Sequence, residues 1–171
     1  MAWRTALTVV RGASAGDLAR VGYAPGGATT TPDGAIAAGL GDQLWLVEHG
    51  ADLVLVGRGP DPELPRTLHA ALGVEVVHAF FMGNLDFYTW QVAHAGGHRT
   101  WSCGEGEVVV DDGTPLPEEA GIHLLDERRL RRLVEARVEF ALADIAGSTA
   151  HSLTSSTPER GRGRRRWFGR G

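Results

Sequence analysis

Residues 74–113 read VEVVHAFFMGNLDFYTWQVAHAGGHRTWSCGEGEVVVDDG. Aromatic and β-branched residues come in short runs, broken at Gly83-Asn84, Ala95-Gly96-Gly97 and Gly104-Glu105-Gly106 and closed by Asp112-Gly113. Runs of this kind punctuated by glycine turns are the pattern of consecutive antiparallel strands. Four strands are therefore predicted, at 74–81, 86–94, 98–103 and 107–111. Strict alternation in 87–92 puts Phe87, Thr89 and Gln91 on one face and Tyr88, Trp90 and Val92 on the other.

Upstream, QLWLVE (43–48) and DLVLVG (52–57) flank His49-Gly50-Ala51, the pattern of a tight hairpin, and TALTVVR (5–11) reads as a buried strand. Ser14-Ala15-Gly16-Asp17 is a capping box in its acidic form, opening a helix with Leu18 and Val21 inward and Gly22 at its end. The Gly-, Thr- and Ala-rich stretch 23–42 reads as loop around one short strand at 34–38. A second helix is expected at 63–72, with Leu64, Leu68, Ala71 and Leu72 on one face and Gly73 as its stop.

Downstream, Asp126 caps a long helix whose stripe Leu130, Leu133, Val134, Val138, Ala141 and Ile145 runs to Gly147. At about 1.5–3 kcal/mol per fully buried aliphatic side chain, that stripe packs on the sheet. From Ser148 the chain turns to Ser, Thr, Gly and Arg, with too little apolar surface to offset ordering. The expectation is one α+β domain over 1–147, mainly an antiparallel sheet with two or three helices packed against it, and a disordered tail over 148–171.

At 171 residues and 43% hydrophobic, the chain can build a core without metal or disulfide, so no cofactor is implied. Cys103 is the single cysteine, which excludes a disulfide framework and a CxxC metal knuckle and fits a reducing cytoplasm. The apolar run at 6–10 is too short for a signal peptide, and no stretch approaches the roughly 18 apolar residues of a membrane span. All 17 basic residues are arginine, a mark of a high-GC bacterial genome. Six of them (Arg160, Arg162, Arg164, Arg165, Arg166 and Arg170) lie in the tail against one acid, Glu159. The remaining 11 arginines face 20 acids, so a body of about −9 carries a tail of about +5.

No motif carries a catalytic signature. Gly12-Ala13-Ser14-Ala15-Gly16 matches GxSxG between a strand and a helix, but only 11 residues precede it and Ser14 is already a helix cap. A serine hydrolase using Ser14 with His78 or His94 and Asp86 stands as a second alternative on that match alone. His94, His98 and Cys103 share a hairpin without the spacing of a zinc site, so no metal is expected, and His78 reads as a core histidine. Residues 22–31 lack the GK[ST] of a phosphate loop. Glu105, Glu107, Asp111, Asp112, Glu118 and Glu119 form an acidic patch, read first as solvated loop surface.

The strand aromatics read mainly as core, and if any face of the sheet stays open, Trp45, Tyr88, Trp90 and Trp101 are the partner-binding candidates. The tail arginines, interleaved with Trp167 and Phe168, have the composition of a nucleic-acid or anion contact.

The order of a strand, a capped helix ending in Arg20-Val21-Gly22, a glycine-rich segment, a Trp45-containing hairpin, and a sheet around Phe87-Tyr88-Thr89-Trp90 resembles small actinobacterial domains of unknown function. The resemblance spans roughly residues 3–125 and implies an α+β fold and a bacterial origin; it brings no catalytic residues. The function expected is that of a non-enzymatic cytoplasmic binding protein, an accessory or immunity-type partner, with weak nucleic-acid binding by the tail as the alternative.

Overall fold

The alternation in residues 87–92 is realised in a strand, Phe87–His94, whose Tyr88, Trp90 and Val92 are all buried. The computed structural model describes residues 3–38, 41, 43–57 and 61–155. In chain order their elements are β1 (Arg4–Val10), α1 (Ala15–Leu18), β2 (Tyr23–Thr30), α2 (Pro32–Ala37), β3 (Leu44–His49), β4 (Asp52–Gly57) and α3 (Leu64–Leu72). There follow β5 (Val76–Met82), β6 (Phe87–His94), β7 (Gly97–Gly104), β8 (Glu107–Asp112), α4 (Glu127–Val138) and β9 (Ala150–Ser155). The fold is α+β and dominated by its sheet. Among the described residues nine strands form one antiparallel sheet in the order β2-β9-β3-β4-β1-β5-β6-β7-β8.

Consecutive residues of β1 show how both faces are filled. Leu7 and Val9 join Val54, Val56, Phe81, Trp90 and Trp101 under α2 and α4, while Val10 joins Leu53, Leu55 and Val76 under α1 and α3. Antiparallel sheets often leave one face to water. Here apolar residues on both faces of β1, β4 and β5 require helices on both sides.

Three expectations are corrected. The segment 34–38 is not a strand: Thr31 Oγ1 accepts from Gly34 N at 3.1 Å and Pro32 takes the first helical position, so α2 forms there, and the strand is β2, just upstream. The long helix stops at Val138, where Glu139 turns left-handed (φ 64°). Ala141 is therefore exposed, and Ile145 reaches the core from a separate 3-10 turn at Leu142–Ile145.

The third correction concerns the boundary at 147. Residues 150–155 form β9, inserted between β2 and β3 and paired with both. Its apolar content is only Ala150 and Leu153, so its place comes from the two ladders, and the Ser152 hydroxyl accepts from Ala28 N at 3.2 Å across the bulge of β2. Residues 156–171, with all six tail arginines, lie outside the described residues.

Candidate functional site

The sheet ends on one side in β8, whose six residues Glu107–Asp112 are all exposed. Val108, Val109 and Val110 stand 46%, 59% and 39% exposed. A bulge opposite Ser102 and Cys103 sets their directions: Val108 pairs with Cys103 on the α4 side, and Val110 pairs with Ser102 on the other. The edge therefore offers apolar side chains above and below, and between them the outward backbone groups of a terminal strand.

The opposite edge, β2, is built differently. It carries Pro25, Gly26 and Gly27 and is bulged between Pro25 and Thr29. Proline and bulges of this kind blunt an edge against further pairing. β8 has neither proline nor glycine within it.

Beside β8 on the α4 side lies an open groove of about 530 Å³. Trp101, Val108, Leu116 and Ile122 give it an apolar lining, Asp111 and His123 polar edges, and Arg99 and Glu119 a charged pair. The far wall is the segment after β8, which turns over at Gly113 with φ +86°. A Cβ there would sit 2.1 Å from His98 O, so only glycine lets the chain double back this tightly.

The wall is held by one buried ion pair. Arg99 Nε lies 3.0 Å from both Glu119 carboxylate oxygens and Nη2 donates to Oε2 at 2.9 Å, while Nη1 donates to Asp111 Oδ1 and to Asp112 O. Trp90 Nε1 donates to Glu119 Oε1 at 3.1 Å. Arg99 and Glu119 are 3% and 6% exposed, so this fork is a structural clamp with its hydrogen bonds already used. Burial works against the guanidinium charge, yet the bonds to Glu119 and Asp111 hold its pKa above the ordinary value.

The acidic patch expected from sequence is in large part neutralised. Besides Asp111 and Glu119, Asp112 Oδ2 lies 2.8 Å from His98 Nε2 and 3.6 Å from Arg66, and Glu118 pairs with Arg137. Glu105 and Glu107 form no ion pair with any described residue and flank the open end of β8.

Of the four aromatic candidates, Tyr88 and Trp90 are sealed in the core on the α4 side and present nothing to a partner. Trp45 is half-buried against the same core, and Trp101, though 4% exposed, lines the groove. Burial follows from parity, since the face that holds Trp90 and Trp101 is the one α4 covers.

Ser14 caps α1, its hydroxyl donating to Asp17 Oδ2 at 2.7 Å. It follows the end of β1 where Val10 pairs with Val76, whereas Asp86 lies beyond the opposite end, where Arg4 pairs with Met82. His78 is 2% exposed and 2.8 Å from Thr8 Oγ1, inside the sheet. His94 points to the α4 side with Trp90 and accepts from Gly96 N, and His98 points to the other side. Cys103 is buried, its Sγ accepts from Leu125 N at 3.3 Å, and burial pushes the thiol pKa up. Among the described residues no cluster of three His, Cys, Asp or Glu side chains is arranged to hold a metal ion, and no helix is long and apolar enough to cross a membrane.

No family model, curated protein or solved structure matches this chain.

Sequence reasoning found Trp101 and the acids but missed Arg99, the Gly113 turn, and the edge position of Val108–Val110. The signal for the edge was present: the valine run is the last strand of a glycine-punctuated meander, flanked by acids and followed by a proline-bearing turn.

Proposed function

We propose that this protein is an interaction module that takes an extended segment of a partner protein along β8, in keeping with a cytoplasmic accessory or immunity-type role. The observation that carries the reading is three exposed valines on a terminal strand free of proline and glycine, beside an apolar groove, while the other edge is interrupted by Pro25, Gly26 and Gly27. A strand added to such an edge gains main-chain hydrogen bonds, and its alternate side chains enter the flanking pockets. Glu105 and Glu107, which pair with no described cation, favour a partner strand with an apolar centre and a basic flank.

The described residues support binding over catalysis. Their hydroxyl–imidazole contact, Thr8 with His78, is closed off from substrate, and Arg99 serves as a clamp with no free donor face.

Selection of displayed random peptides against the full chain tests the reading. Basic-flanked, strand-forming sequences should be enriched, and the variant Val108→Glu/Val110→Glu should bind them at least about tenfold more weakly, a loss of roughly 1.4 kcal/mol. Enriched peptides that bind this variant as well as the native chain would remove β8 as the site.

A further inference from the structure

Building on the docking role of β8, we infer that the segment it takes is the arginine–aromatic stretch of residues 160–170 in a second copy of this chain.

The chemistry of the two segments matches. Arg164-Arg165-Arg166 precede Trp167-Phe168 in a stretch, 160–170, that holds six arginines and no acid; the other arginine run, 128–132, is part of α4. The edge it meets carries Glu105 and Glu107 beside exposed valines. In an extended strand adjacent side chains point to opposite faces. Trp167 then enters the 530 Å³ groove beside Trp101, Val108 and Leu116, and Phe168 covers Val110 on the other face. The arginines meet the acids that flank the strand.

Symmetric pairing of two β8 strands lacks this match. An antiparallel pair centred on Val109 sets Glu107 of each copy against the Arg99-paired Asp111 of the other, so Glu107 meets no basic residue there.

The sheet order decides which copy supplies the segment. Ser155 ends β9, seven strand positions from β8, a separation of about 34 Å at roughly 4.8 Å per strand. The twelve residues from Ser155 to Trp167 reach at most about 40 Å fully extended. A chain that taut has no length left to lie along β8 of its own molecule. A second copy meets no such limit, and the resulting contact joins unlike surfaces, so copies associate head to tail.

Sedimentation equilibrium of the nuclease-treated full chain provides the test. The mass should exceed that of one copy, rise with concentration through the micromolar range and fall with added salt as the charges are screened. Trp167→Ala/Phe168→Ala and Val108→Glu/Val110→Glu should each be monomeric with unchanged circular dichroism and melting. An equimolar mixture of the two should recover a two-copy species, since one intact tail then meets one intact β8.

A native chain that stays monomeric, or assembly indifferent to the tail substitution, overturns the inference. So does tail-dependent binding of an oligonucleotide in a chain that never self-associates. If the tail substitution changes nothing while Val108→Glu/Val110→Glu still loses selected peptides, β8 remains a docking edge and the tail is not its ligand.

Discussion

Arg99 is a charged side chain almost without solvent, tolerated because Glu119, Asp111 and two carbonyls take its donors. Removing one member leaves the other charge buried and unpaired, which costs far more than the pair contributes. Arg99→Met should lower stability by about 3–5 kcal/mol, read as a shift of the urea midpoint, and Arg99→Met/Glu119→Met should regain much of the loss. His78 makes the opposite use of burial. Desolvation, against a smaller pull from Asp61, lowers its pKa from 6.5 to about 4, so the native state stays neutral where the unfolded chain binds a proton. Its contribution is complete above about pH 6.5 and is lost as the pH falls towards 4, by about 3 kcal/mol in all. Urea titrations from neutral pH down to about pH 4 should show that slope in the native chain and a flatter one in His78→Gln.

At the scale of elements, the meander β5 to β8 was legible because alternation and glycine turns are local properties of the chain. α2 carried a local signal as well, Thr31 as cap with Pro32 after it, which the glycine-rich composition of 23–42 masked. The end of α4 had no such mark: a glutamate, Glu139, takes the left-handed position where glycine is the usual choice. The wall of the groove depends on Gly113 in a stricter way. Positive φ alone costs alanine roughly 1 kcal/mol, and a 2.1 Å approach to His98 O adds a backbone clash that no rotamer relieves. Gly113→Ala should lower the melting temperature and raise amide exchange through 113–123, where Arg99 and Glu119 hold the wall.

Across the whole molecule, the sheet is closed by a strand from the far end of the chain. β9 is the partner of β2 and of β3, so a chain ended after Gly147 loses the strand that joins β2 to the sheet. Such a truncation should lose about 3 kcal/mol or more, from the burial of Leu153 and the two ladders, and leave β2 amides unprotected in hydrogen exchange. Ending the chain after Ser155 should change stability by no more than about 0.5 kcal/mol. Comparing the two melting curves separates the strand from the arginines that follow it.

By itself the sequence determined the α+β class, the hairpin, the four-strand meander, the capped first and last helices, and the split between acidic body and basic tail. Each of these rests on periodicity, turn chemistry or charge read over a few neighbouring residues. The tertiary structure alone decided that Arg99 meets Glu119 across 20 positions and that β9 pairs with Leu44–Leu46 more than 100 residues before it. Those outcomes depend on which distant segments pair, and the free energy of pairing is shared across ladders and packed faces that no local pattern contains.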